Sequence, residues 1–236
     1  MRIRDPQKEK AIRLKTMELA VHEGFDGLSM QKVAKAAKVS AGTLYVYFKD
    51  REDMILRISL EELARMTDST MEGFHPAMSF DEGLRVQWIN RARYSMENPL
   101  ASQFLEQMRF TPLHEKALKT AGNSFKEIMS VFLQNATRNG ELAPMSVEVY
   151  WAVAFAPLYQ LVKFHRQGKS LPGMGKFALT EKTLLQTLEL VLKALKPGPE
   201  EQAKRIAADA QADAHDKKSG RRKSALPLKS QRKQDK

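Results

Sequence analysis

The chain has 236 residues, no cysteine and a formal net charge of +11. This length allows one substantial core, or a small module joined to a larger body, and the missing cysteines exclude disulfides, thiolate metal sites and cysteine nucleophiles. The charge suggests a polyanionic partner without locating it: residues 1–53 carry 11 basic and 8 acidic side chains, residues 54–196 carry 17 and 14, and residues 197–236 carry 11 and 6.

The opening Met1-Arg2-Ile3-Arg4-Asp5 has no apolar signal-peptide core, and no apolar run reaches bilayer length. A soluble, cytoplasmic protein without membrane contact is expected. Up to Lys196 the segments show helical rather than alternating periodicity, divided by short Gly, Pro, Asn or Ser clusters. An all-α fold of about nine helices follows, over 6–23, 30–37, 41–48, 51–72, 80–97, 100–110, 113–139, 146–167 and 178–195. Gly24 ends the first, and Ser29, Ser40 and Asp50 stand where N-cap oxygens accept orphan backbone N–H groups. Asp53, three residues after Asp50, resembles the partner in a capping box. Asn98-Pro99, Thr111-Pro112 and Ala143-Pro144 mark further joints.

Residues 28–54 contain two very short helices joined by three residues, a combination that needs tertiary packing to persist. Val33, Ala34 and Ala37 form the apolar face of the first, Val39 sits in the turn, and Leu44 and Phe48 supply the buried face of the second. That leaves Ser40, Ala41, Thr43, Tyr45, Val46 and Tyr47 on or near the outer side, beside Lys49 and Arg51. Small, methyl-bearing and hydroxyl-bearing groups flanked by cations suit a helix entering the DNA major groove.

The run Gly24-Phe25, Ser29-Met30, Val33-Ala34, Ala37, Val39 to Phe48, then Arg51-Glu52 and Met54, resembles the DNA-binding domain of the tetracycline-repressor (TetR) family over about the first 60 residues. The resemblance implies a homodimer whose third helix reads a palindromic operator in double-stranded DNA, and a C-terminal body that binds a small molecule and dimerises. Carried over, it implies that Gln31, Ser40, Ala41, Thr43, Tyr45 and Val46 face bases or adjoining sugars and phosphates. It implies phosphate contacts for Tyr47 and Arg51, with Lys49 nearby. The methyls of Ala41, Thr43 and Val46 suit thymine methyl groups, and the N-terminus of the 51–72 helix suits a phosphate. No arginine or asparagine on the third helix offers bidentate base readout, so apolar contacts, water and DNA shape are expected to carry specificity. The family usually has glycine where this chain has Lys38, in a turn that tends to positive φ.

In the body, Trp88, Tyr94, Phe104, Met108, Phe110, Phe125, Met129, Phe132, Trp151, Phe155 and Tyr159 recur at helical spacing and read as core residues. The resemblance implies that part of this surface lines a pocket for a largely apolar effector. Segments 146–167 (Tyr150, Trp151, Ala154, Pro157, Leu158, Leu161) and 178–195 (Leu184, Leu185, Leu188, Val191, Leu192, Leu195) carry apolar faces broader than one packing surface needs, which suggests a four-helix dimer interface. Pro157 is expected to kink its helix or leave a carbonyl unpaired.

Three units are expected: a helix-turn-helix domain over 1–53, an effector-binding and dimerisation domain over 54–196, and a disordered basic tail over 197–236. An enzyme is the alternative to a regulator. The histidines at 22, 75, 114, 165 and 215 form no metal-binding pair, and Leu171 to Lys176 lacks P-loop spacing, so neither catalysis, a cofactor nor a metal is expected. An adaptor with a protein-binding body is the third class. The expectation is a repressor released from its operator by its effector.

Overall fold

The structure, a computed structural model, describes residues 5–199. Arg2, Arg4 and the expected tail beyond residue 199 lie outside the described residues. Within them the chain forms ten helices: α1 Pro6–Glu23, α2 Met30–Ala36, α3 Ala41–Tyr47, α4 Arg51–Met71, α5 Phe80–Glu97, α6 Pro99–Met108, α7 Leu113–Ala121, α8 Ser124–Asn139, α9 Val147–Gln167 and α10 Glu181–Leu195. No strand occurs among the described residues; one isolated antiparallel bridge joins Lys169 to Lys176.

The segment expected as a single helix over 113–139 is two, α7 and α8. Gly122 has φ 83, a positive value that no helix interior accommodates, and Asn123 then stands at the N-cap of the next helix. Elsewhere the helix starts follow local chemistry. Asp5, Ser29, Ser40, Asp50, Ser79, Ser146 and Thr180 each accept an N–H from the first turn of the helix they precede. Each such cap contributes about 1 kcal/mol.

Two apolar clusters form the interior. One joins α1 to the beginning of α4 with α6 and α7: Ile12, Val33, Leu44, Phe48, Met54, Ile58, Phe104 and Met108 are among its buried members. The other lies between α5, α8, α9 and α10, around Phe80, Trp88, Phe132, Tyr150, Phe155 and Leu188. Helices α6 and α7, which come well after the short helix pair in sequence, therefore share its core cluster, α6 packing on α1 and α4 and α7 on α4. The long α4 touches both layers, packing on α5, α6 and α7.

Most body aromatics are buried as expected, but Phe125 and Trp151 are only half-buried, and Tyr159 and Phe110 are exposed, Phe110 at 88%. Phe110 lies two residues beyond the end of α6, after the Arg109 C-cap, where the chain turns and leaves the helical face. The apolar faces of α9 and α10 are largely consumed inside the protomer. Tyr150, Ala154, Leu158, Leu184, Leu188, Val191, Leu192 and Leu195 are all buried there, so the breadth of these faces reflects mutual packing and contact with α5. Near Pro157, the Trp88 indole N–H donates to the Ala154 carbonyl at 2.7 Å, which anchors α5 to the proline-containing stretch of α9.

Candidate nucleic-acid interface

The geometry of α3 starts with the turn that precedes it. The Val39 N–H donates to the Ala34 carbonyl at 3.0 Å and the Lys38 N–H to the Lys35 carbonyl at 3.2 Å. These are the two bonds of a Schellman motif, which closes α2 and redirects the chain. Lys38 occupies its left-handed position with φ 55, and is the one non-glycine residue with positive φ among the described residues. A side chain there costs about 1–2 kcal/mol, yet it leaves the Lys38 ammonium exposed at the edge of α3.

Ser40 then caps α3. Its Oγ accepts the Thr43 N–H at 3.0 Å and lies 2.8 Å from Thr43 Oγ1. Leu44, Tyr47 and Phe48 face inward, buried against α1, α2 and α4. Consequently Ser40, Ala41 and Tyr45 project outward, Tyr45 with 55% of its surface exposed, while Thr43 and Val46 are half-buried along the same edge. Gln31, in the first turn of α2, and Lys49, just past α3, are also exposed. Of the expected site residues, these seven share the outer side.

Two do not. Tyr47, expected on the outer side at a phosphate, is 3% exposed. Its hydroxyl accepts the Asp5 N–H at 2.7 Å and donates to the Asp5 carbonyl at 3.1 Å, tying α3 to the N-terminus of α1. The reason is helical spacing: positions 44, 47 and 48 share one face, and the ring follows Leu44 and Phe48 into the core. Arg51, expected at a phosphate, turns toward the loop after α1. Its Nε–H donates to the Leu28 carbonyl at 2.9 Å and a terminal N–H to the Phe25 carbonyl.

The N-terminus of α4 also differs. Asp50 accepts the Asp53 N–H at 2.8 Å, and Asp53 reaches back to the Lys49 N–H at 2.9 Å rather than to Asp50 itself. With Glu52 also in the first turn, this helix end is already served by carboxylates, which compete with any phosphate. Arg57, one turn further, donates to the Tyr47 carbonyl at 2.6 Å and lies 5.0 Å over the Phe48 ring, fixing the α3 C-terminus.

Sequence reasoning did not single out Lys35 and Gly42. Both are exposed, Lys35 on α2 and Gly42 in the first turn of α3, and no ion pair among the described residues engages Lys35, Lys38 or Lys49. Lys35 lies one turn after Gln31 on α2, a spacing that points both to the same side and was the available signal. Lys8, by contrast, sits 3.7 Å from Asp5. No cluster of three or more His, Cys, Asp or Glu side chains suited to a metal occurs among the described residues, and no helix there is long and apolar enough to cross a membrane.

Residues 12–58 match the sequence profile described as bacterial regulatory proteins, tetR family. An uncharacterised helix-turn-helix transcriptional regulator of Haemophilus influenzae is 28% identical over 139 residues, spanning 59% of this chain and 73% of that protein. The fatty acid metabolism regulator protein of Bacillus subtilis is 30% identical over 70 residues, 30% of this chain and 36% of that protein. A solved TetR family transcription regulator from Marinobacter aquaeolei superposes with a TM-score of 0.68 at 25% identity, covering 84% of this chain and 100% of that one.

Proposed function

The chain belongs to the TetR family of DNA-binding transcriptional regulators, and from that premise we propose that it is a repressor released from its operator by a largely apolar small molecule. Gln31, Ser40, Ala41, Thr43, Tyr45 and Val46 are proposed to meet bases or adjoining sugars and phosphates, with Lys49, Lys38 and Lys35 on flanking phosphates. Tyr47 and Arg51 are assigned a positioning role, holding α3 against α1 and the 24–28 loop. The observation that carries the reading is the outer edge of α3: small and hydroxyl-bearing side chains near Lys35, Lys38 and Lys49, which form no ion pair among the described residues.

The protein is proposed to act as a homodimer through α9 and α10, so that two α3 helices enter major grooves about 34–36 Å apart. Val147, Val149, Tyr159 and Leu190, exposed at 58%, 50%, 37% and 62%, are the large apolar positions those helices leave available. An effector bound among α5, α8 and α9 would act on the DNA-binding helices through α4 and α6, because both pack under them. A small tilt then mismatches both half-sites at once. The name of the Bacillus subtilis relative fits an apolar effector. The proposed units are 1–53 for DNA binding, 54–196 for effector and dimer, and 197–236 as a basic tail.

Selection of bound fragments from a genomic library supplies the operator. On it, Thr43→Ala and Tyr45→Ala are expected to weaken binding by about tenfold each at physiological salt, in line with about 1–3 kcal/mol per good base contact. Unchanged affinity in both variants would refute α3 as the sequence-reading helix. Truncation after Lys196 is expected to preserve site preference and reduce the salt slope.

A further inference from the structure

Arg91, in the middle of α5, is 4% exposed and has only neutral hydrogen-bond partners. Its guanidinium donates to the Tyr159 hydroxyl at 3.0 Å and to Gln87 Oε1 at 3.0 Å, while the covered Nε–H has no partner. Phe155, Trp151 and Phe125 surround it, with ring centroids 4.6, 5.3 and 5.8 Å from Cζ. Rings attract a cation but do not neutralise it, and a buried cation without an anion is costly.

A second orphan stands close by. The Tyr150 hydroxyl is buried without a partner; burial pushes its pKa well up, and the charge of Arg91 opposes that rise. Tyr150 packs edge-on against Phe155, centroids 6.1 Å apart. Tyr150 also lines a groove of about 430 Å³ between the end of α8 and the start of α9, with Leu133, Leu142, Met145 and Val147. That volume lies within the range of about 300–1,000 Å³ typical of small-molecule sites. The Tyr150–Phe155 pair thus stands between an uncompensated cation and a groove that is mainly apolar, with Gln134, Thr137 and Arg138 on its polar side, and a ligand that spans both parts these rings.

We propose that the effector is an amphipathic monocarboxylate, its carboxylate received by Arg91 and the Tyr150 hydroxyl and its apolar chain by the α8–α9 groove. The assignment rests on the ligand-responsive reading above and specifies its chemistry. A single negative charge balances the single guanidinium, and the Nε–H and phenolic O–H supply the donors that a carboxylate accepts. A phosphate dianion would bury an excess negative charge, a neutral head would leave Arg91 uncompensated, and a cationic head would be repelled.

The test uses the purified full chain and three probes with one tail: dodecanoate, dodecanol and dodecyltrimethylammonium, with binding followed by calorimetry and by tryptophan fluorescence, since Trp151 flanks the guanidinium. Dodecanoate is expected to bind at least about tenfold more tightly than dodecanol, the alkylammonium more weakly than either. Arg91→Met is expected to erase the preference for the acid, Arg91→Lys to keep part of it, and Tyr150→Phe to weaken dodecanoate while leaving dodecanol unchanged. Equal binding of acid and alcohol by the wild type overturns the proposal, and so does an Arg91→Met variant that retains the preference. Should Arg91→Met fail to fold, the wild-type comparison and Tyr150→Phe decide. Operator binding measured in parallel separates the two readings: operator binding without acid preference defeats only the carboxylate assignment, whereas acid binding by a chain that selects no operator defeats the regulator.

Discussion

The rings of Phe25 and Phe104 lie 5.3 Å apart, tilted by 37°, and join the loop after α1 to α6 in the body. Gln107, one turn further along α6, adds a bond from its side-chain amide to the Val21 carbonyl at 3.3 Å. This contact gives the body a second hold on the DNA-binding helices beside α4. Phe104→Ala is expected to cost about 3–5 kcal/mol in chemical denaturation, because the ring is fully buried. Phe104→Leu, which keeps most of the volume, is expected to cost less and still to lower operator affinity, although residue 104 lies far from α3 in sequence.

Lys38 holds a left-handed conformation that glycine adopts without strain. Lys38→Gly is expected to raise stability by about 0.5–1 kcal/mol in denaturant titrations, the relieved strain exceeding the added freedom of the unfolded chain. The same variant is expected to lower the salt slope of operator binding by about one unit if the ammonium meets a phosphate.

Tyr47→Phe removes a hydroxyl that makes two bonds to Asp5 and little else of the ring's packing. A loss of about 0.5–1.5 kcal/mol in stability is expected, with the salt slope of operator binding unchanged. A slope reduced by about one would instead place the hydroxyl on a phosphate.

Glu62 on α4 is 3% exposed, 2.7 Å from Arg65 and 3.4 Å from Arg13 of α1. Burial raises its pKa above the ordinary 4.5, and the charge of Arg13 only partly offsets this. The folded protein therefore holds this proton more tightly than the unfolded chain does. Stability from this group is greatest at low pH and declines as pH rises through the window that opens near 4.5. Thermal melts across that window are expected to show the decline in the wild type and not in Glu62→Gln. Tyr94, whose buried hydroxyl has no partner and whose pKa burial pushes up to about 12, is expected to tolerate Tyr94→Phe with no loss of stability.

Gly83 in α5 leaves room for Phe132 of α8. A Cβ at position 83 would lie 2.5 Å from two atoms of that buried ring. Gly83→Ala is expected to destabilise by about 1–3 kcal/mol, and Phe132→Leu is expected to recover part of the loss in a double-mutant cycle.

Much of the DNA-binding region was legible in the residues, since its determinants are local. Ser29, Ser40 and Asp50 specify helix starts through side chains a few bonds from the groups they cap, and the strained turn at Lys38 follows from the position of one residue. The outward set on α3 was legible too, except at Tyr47. An amphipathic tyrosine is compatible with either side, and only the arrival of Asp5, 42 residues earlier in the chain, gives its hydroxyl an interior partner. Arg51 is the same case: its donors find carbonyls of Phe25 and Leu28 that adjoin it only after folding.

The sequence by itself determined an all-helical chain, the places where most helices begin and end, and the short helix pair with its inner and outer sides, because caps, turn residues and apolar periodicity act over one or two turns. It also carried the family resemblance. The tertiary structure alone decided that α6 joins the core cluster of the DNA-binding helices, that the apolar faces of α9 and α10 are spent largely on each other and on α5, and that Arg91 is buried among three rings with no carboxylate partner. Each of these depends on which distant surfaces meet, and a periodic pattern states that a face is apolar without stating what covers it.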